Sequence, residues 1–167
     1  NLFDYDYVAV RAPQFSFTRL EGADPTTGVE MASTGEVACF GENFNQAFLK
    51  ALISVGYHFP IKNVLISSGT IDSKVELLES CRLMQARGIK FYATPGTADF
   101  MCENGLEVEK LEFPLDNNTI NAVEIIKQGK VDLVINIPKN YQETELTNDY
   151  LIRRAAVDFK IPLITNR

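Results

Sequence analysis

From Glu42 onward, apolar residues recur with the periods of alternating helices and strands. Phe44, Ala47, Phe48, Ala51, Leu52 and Val55 fall at i, i+3, i+4, i+7, i+8 and i+11, the spacing of an amphipathic helix with Asn43 as cap and Gly56 as stop. Asn63-Val64-Leu65-Ile66-Ser67-Ser68 is a nearly unbroken apolar run of the kind buried in a parallel sheet. A helix is predicted over 72–87, with Val75, Leu78, Cys81 and Met84 inward and Gly88 closing it, then a strand over 89–93. A helix over 97–104, a strand over 107–113, a helix over 119–128, a strand over 131–136, a helix over 148–159 and a strand over 161–165 complete the pattern. This alternation predicts an α/β fold: a five-stranded, mostly parallel, Rossmann-type sheet with helices on both faces.

Residues 1–41 read differently. Tyr5 to Arg11 alternates as a strand does, but Pro13, Pro25, Gly22, Gly28, Gly35 and Gly41 punctuate the rest, and no helical period emerges. The expected division is therefore an extended segment at 1–41 and an α/β domain at 42–167. The 167 residues carry a net charge of −6, which argues against a general nucleic-acid binder. No run approaches the roughly 18 apolar residues of a membrane span, and Asn1 to Asp6 lack the basic start of a secretory signal. Three unclustered cysteines (Cys39, Cys81, Cys102) and a single histidine, His58, offer no zinc set, and the cysteines are read as reduced thiols of an intracellular protein.

In α/β sheets, ligands bind where strands end and helices begin, so the residues just after each strand carry the chemistry. Ser67-Ser68-Gly69-Thr70 is rich in hydroxyls, and Lys74 follows on the first helical turn. Thr94-Pro95-Gly96-Thr97 places two threonines around a glycine that lets a ligand approach the backbone. Asn136 and Lys139 follow the fourth strand, while Asn148, Asp149, Arg153 and Arg154 lie near the start of the last long helix. Together these would hold a carboxylate or phosphate through hydroxyls, amides and ammonium groups. Each has an ordinary alternative: threonine as helix cap, Lys74 as a solvated lysine, and the arginines paired with Asp149 or Asp158. Walker, dinucleotide and nucleophile-elbow motifs are absent, and no histidine stands at a strand end to act as a base.

The run Glu30-Met31-Ala32-Ser33-Thr34-Gly35-Glu36-Val37-Ala38-Cys39-Phe40-Gly41, preceded by Arg19 to Pro25, resembles the end of the second ATP-grasp half of carbamoyl-phosphate synthetase. The remainder resembles that family's methylglyoxal-synthase-like domain, with Lys74, Ala93 to Ala98, Val134-Ile135-Asn136 and Tyr150 to Arg154 in the family's order. The resemblance implies a C-terminal regulatory domain that binds a small anionic effector at the strand ends and is not itself catalytic. The implied partners are that effector and the synthetase domains of the same chain, with neither nucleic acid nor a membrane. The parent enzyme would use ATP and Mg2+, with no cofactor in this part, in the cytoplasm or the mitochondrial matrix. Relatives continue past the fifth strand into another helix, so the domain is expected to lack its last helix.

Effector identity is left open by the same comparison. Nucleotide-binding members resemble the chain at Lys74, Thr94, Thr97 and Asn136, but carry a second lysine where Pro114 stands and threonines in place of Ile137-Pro138. Members activated by N-acetylglutamate are more similar around Asn136 and Asn148 to Asn166, with a tryptophan at the Phe113 position and an asparagine at the Lys139 position. The balance favours an N-acetylglutamate-like acid, with a nucleotide or phosphoribosyl pyrophosphate as alternatives. The enzyme rival is a stand-alone methylglyoxal synthase acting on a triose phosphate. Its catalytic aspartate would fall at about Thr119, and Asp116 is out of register.

Overall fold

A computed structural model of the chain describes residues 6–14, 22–25, 35–115, 120–138 and 143–165. Contacts group the chain into two units, Asn1–Glu21 with Thr27–Phe59, and Gly22–Thr26 with Pro60–Arg167.

In the first unit, β1 (Val8–Gln14) and β2 (Gly35–Gly41) form an antiparallel pair in which Val8 faces Gly41 and Gln14 faces Gly35. Helix α1 (Phe44–Ser54) starts at Asn43, whose side chain accepts from the Gln46 amide at 3.0 Å. It packs on the hairpin, and Lys50 Nζ donates to the Phe40 carbonyl at 2.8 Å. The division by contact therefore falls at 59/60, where the sequence suggested 41/42. The backbones come so close that a Cβ on Gly41 would sit 2.5 Å from the Ala47 nitrogen. Only small residues fit that seam, so Ala47 and Ala51 are the buried pair. Phe44 and Phe48, expected inward, are instead exposed and stack on one another at 5.5 Å.

The second unit is built on one parallel sheet. Its elements are β3 (Asn63–Ser68), α2 (Ile71–Gln85), β4 (Lys90–Ala93), α3 (Pro95–Glu103), β5 (Val108–Lys110), α4 (Ala122–Lys127), β6 (Leu133–Ile137), α5 (Glu143–Asp158) and β7 (Leu163–Ile164). Strand order is β5-β4-β3-β6-β7, every neighbouring pair parallel. The winding reverses between β3 and β6, the point at which such sheets open a crevice at their carboxyl ends.

Successive β3 residues point to opposite faces. Leu65, with Val134 of β6, joins Ile125 and Ile126 of α4 and Ile152, Ala155 and Ala156 of α5 in one buried cluster. Ile66 turns the other way, toward Leu77, Leu78 and Cys81 of α2 and Met101 of α3. Both faces are thus covered by helices. Val75, expected inward on α2, is exposed, because Ser73 and Cys81 are that helix's buried positions. Gly88, predicted as a helix stop, and Gly129, just past the end of α4, take φ of 83° and 64°, a conformation a side chain would strain.

Asp132, just ahead of β6, accepts from the Lys62 and Asn63 amides at 2.8 and 2.9 Å and so fixes the start of β3. Burial pushes the Cys81 thiol from 9.0 up to about 11. A proton held more tightly in the folded than in the unfolded state stabilises fully below the unfolded value and is lost as pH rises through the folded one. Unfolding free energy should therefore fall between pH 9 and pH 11, and Cys81→Ala should make that decline shallower in denaturant titrations; an unchanged slope would show that the Cys81 thiol ionises alike in the folded and unfolded states.

Candidate functional site

The carboxyl ends of β3, β4 and β6 replace the apolar sheet core with hydroxyls and amides. Strand alternation sends Ser67 toward α5 and Ser68 toward α3. Ser67 Oγ donates to Asp149 Oδ1 at 3.2 Å and accepts from Thr94 Oγ1 at 3.1 Å. The Ser68 amide donates to Thr97 Oγ1 at 3.0 Å, and that hydroxyl donates back to the Ser68 carbonyl at 3.1 Å. Thr94 is the N-cap residue of α3 but makes no side-chain cap, because its hydroxyl is spent across the sheet on Ser67. The ordinary capping role open to Thr94 is thus not the one it takes.

These residues enclose a cavity of about 190 Å³ lined by Ser67, Ser68, Gly69, Lys74, Thr94, Gly96, Thr97, Phe113 and Asp149. Six of the residues singled out from sequence meet here: Lys74, Thr94, Gly96, Thr97, Phe113 and Asp149. Lys74 reaches over from α2 and donates through Nζ to the Gly96 carbonyl at 2.7 Å, placing an ammonium group at the cavity beside the N-terminal turn of α3. Ser68 Oγ is buried and has no hydrogen-bond partner among the described residues. A hydroxyl with no partner costs free energy unless something in the cavity accepts from it.

The other expected residues take different places. Asn136 is fully buried behind the cavity, donating from Nδ2 to Asp149 Oδ1 at 2.9 Å and accepting from Arg153 Nη1 at 2.8 Å. Arg153 is 2% exposed and grips Asp24 through Nε and Nη2 at 2.7 and 2.6 Å, so its guanidinium is committed away from the cavity. Arg154 pairs with Asp158 one turn on, as its spacing suggested. Asn148 accepts from the Leu115 amide at 3.1 Å and so anchors the loop that carries Phe113. Lys139, like Asp116, Thr119 and residues 30–34 of the junction run, lies outside the described residues. Ser67, Ser68 and Gly69 were visible as a hydroxyl-rich stretch but not as site residues; the signal was their position directly after the apolar run Val64-Leu65-Ile66 at the carboxyl end of β3.

The sequence profile of the MGS-like domain family matches residues 76–165, more than half of the chain. The chain belongs to the MGS-like domain family. As an MGS-like domain it matches from within α2 to β7; Thr94, Gly96, Thr97, Phe113 and Asp149 of the cavity fall inside the matched region, and Ser67, Ser68, Gly69 and Lys74 just before it. It is 44% identical over 96% of its length to the multifunctional protein ura1 of Schizosaccharomyces pombe, covering 8% of that protein. It is 41% identical over 94% of its length to the multifunctional protein CAD of Squalus acanthias, again 8% of that protein. Identity to the mitochondrial carbamoyl-phosphate synthase (ammonia) of Homo sapiens is 43% over 96% of the chain, covering 11% of the human protein. The chain thus spans about a tenth of the length of these curated relatives. Among the described residues, no helix is long and apolar enough to cross a membrane.

The two serines of β3 should respond oppositely to substitution in the ligand-free protein. Ser67→Ala strands a donor on Thr94 and removes a donor from buried Asp149, and should cost about 1–3 kcal/mol by chemical denaturation. Ser68→Ala removes a hydroxyl that bonds to nothing and should leave stability within about 0.5 kcal/mol of wild type or raise it. Equal losses in both would show that Ser68 Oγ is bonded after all.

Proposed function

We propose that this chain is the effector-binding regulatory domain of a carbamoyl-phosphate synthase, and that the cavity between β3, α3 and α5 receives a small anionic effector. The observation that carries this reading is that Lys74 and Ser68, whose buried hydroxyl has no partner among the described residues, line one cavity with Thr94, Gly96 and Thr97. A ligand oxygen there gains a donor that nothing else uses and a cation that neutralises it. High identity to the multifunctional proteins and to carbamoyl-phosphate synthase supports the assignment to such a parent chain. That parent would use ATP and Mg2+ on synthetase domains elsewhere in the chain, and the domain described here would act on them rather than carry out chemistry itself.

Size and lining favour a small acid. A cavity of about 190 Å³ is below the roughly 300–1,000 Å³ of sites that enclose drug-sized ligands. Phe113 adds an apolar wall, and Pro114 stands where a second phosphate-binding lysine would be needed for a nucleotide. These features fit a dicarboxylic acid of the N-acetylglutamate type better than a nucleotide or phosphoribosyl pyrophosphate. A triose-phosphate lyase is not favoured, since Asp149, the carboxylate lining the cavity, is held by Ser67 and Asn136 rather than poised as a base.

Calorimetric titration of the chain with N-acetylglutamate, UMP, UTP, IMP and phosphoribosyl pyrophosphate tests the proposal. One of these anions, N-acetylglutamate first, should bind, and Ser68→Ala and Lys74→Met should each weaken it about tenfold or more, the usual cost of one charge-assisted hydrogen bond. Undiminished binding in both variants would place the site elsewhere.

A further inference from the structure

The strand-end network does not stop at the cavity wall. Gly22–Pro25 lies along α5, held by three consecutive polar contacts. The Tyr150 hydroxyl donates to the Gly22 carbonyl at 3.0 Å, Arg154 Nη1 to the Ala23 carbonyl at 3.3 Å, and Arg153 to both carboxylate oxygens of Asp24. Residues 22–26 group by contact with the sheet, although the chain on either side of them, 1–21 and 27–59, groups with the hairpin. This short strap therefore belongs by contact to the sheet's own unit and is fastened to that unit's last long helix.

One residue separates that fastening from the cavity. Arg153 Nη1 donates to Asn136, Asn136 donates to Asp149, and Asp149 lines the cavity and accepts from Ser67. Asp149 and Arg153 are four residues apart on α5 and so share one helix face. The Asn136 amide has a single workable orientation. Turned over, it would set its NH2 against a guanidinium and its carbonyl against a carboxylate. Each member of the chain thus fixes the next, from the strap to the cavity wall.

We propose that docking of the Gly22–Pro25 strap is coupled to occupancy of the cavity, the docked state being the one that binds the anion better. The inference rests on the reading of the cavity as an anion site. The 2% exposure of Arg153 belongs to the docked state; once Asp24 departs, Arg153 Nε and Nη2 lose their carboxylate and must turn to water for acceptors. In turning toward water it leaves Asn136, and Asp149 loses the support that sets its place in the wall. A ligand fitted to the docked wall then binds the released state less well, and by reciprocity its binding tightens the strap. Asp24, Asn136 and Arg153 are positioning residues here; none needs to touch the ligand.

Hydrogen exchange on the full 167-residue chain, with N-acetylglutamate and UMP as the two probes, tests the coupling. A saturating probe should slow exchange of the Gly22, Ala23 and Asp24 amides about fivefold or more. Asp24→Asn should weaken that probe's affinity about 5- to 50-fold, the usual range of coupling between two sites. Glu124→Gln, which breaks the exposed Lys127–Glu124 pair on α4 and touches neither strap nor cavity, should change it less than about twofold and so controls for general loss of stability. Exchange on the unmodified chain decides the matter if Asp24→Asn does not fold. A probe that binds the wild-type chain while strap exchange stays unchanged overturns the coupling and leaves the anion site standing, as does tighter binding to Asp24→Asn. Failure of both probes to bind the wild-type chain overturns the anion site and the coupling together.

Discussion

Asp149 is a carboxylate almost wholly removed from water, and the carboxyl end of the sheet is arranged around its needs. A buried charge is tolerable only where donors surround it, and the donors found here come from two neighbouring strands: Ser67 of β3 and Asn136 of β6, directly opposite one another in the parallel register. That register is itself set by the apolar pairs below, Leu65 beside Val134 and Ile66 beside Ile135. A slip of one residue would send Ser67 to the wrong face and leave Asp149 without its hydroxyl donor. The polar end of the sheet and its apolar body therefore specify the same alignment, and α5 is held over it by both.

The same arrangement explains why the cavity is polar yet orderly. Ser67, Thr94 and Thr97 spend their hydroxyls on one another, on Asp149 or on the Ser68 backbone, which fixes the walls. Ser68 Oγ is the exception. One unsatisfied donor in a network that otherwise satisfies itself is the kind of local inconsistency that marks functional sites. Lys74, swung over from the neighbouring helix, gives the spot its positive charge.

Most of the sheet was legible in the sequence because β3 and β6 are buried along nearly their whole length and so carry the apolar runs Val64-Leu65-Ile66 and Leu133-Val134-Ile135, and because glycines mark the helix ends. The strand-end rule alone brought Lys74, Thr94, Gly96 and Thr97 to one place. Helix α5 was misread at its start: Asn148 and Asp149 look like capping residues, yet the helix begins at Glu143 and both sit inside it, turned toward Leu115, Ser67 and Asn136. Tertiary hydrogen bonds satisfied the side chains that would otherwise compete for a helix end. Phe44, Phe48 and Val75 carried the right period but the wrong burial, since a period shows which residues share a face and not whether the neighbouring surface is wide enough to cover it. The fate of Arg153 lay beyond any local pattern, because its partner is 129 residues away.

The central claim is that anions bind this domain at the carboxyl ends of β3 and β4 and nowhere else of consequence. Backbone amide NMR shifts during titration with N-acetylglutamate, and separately with UMP, measure this most directly. The account predicts that the largest shifts fall at Ser67 to Gly69, Gly96 to Ala98 and Phe113, and that they saturate together. Shifts centred on the opposite end of the sheet, around Lys90 and Glu107, or shifts that never saturate, would contradict it.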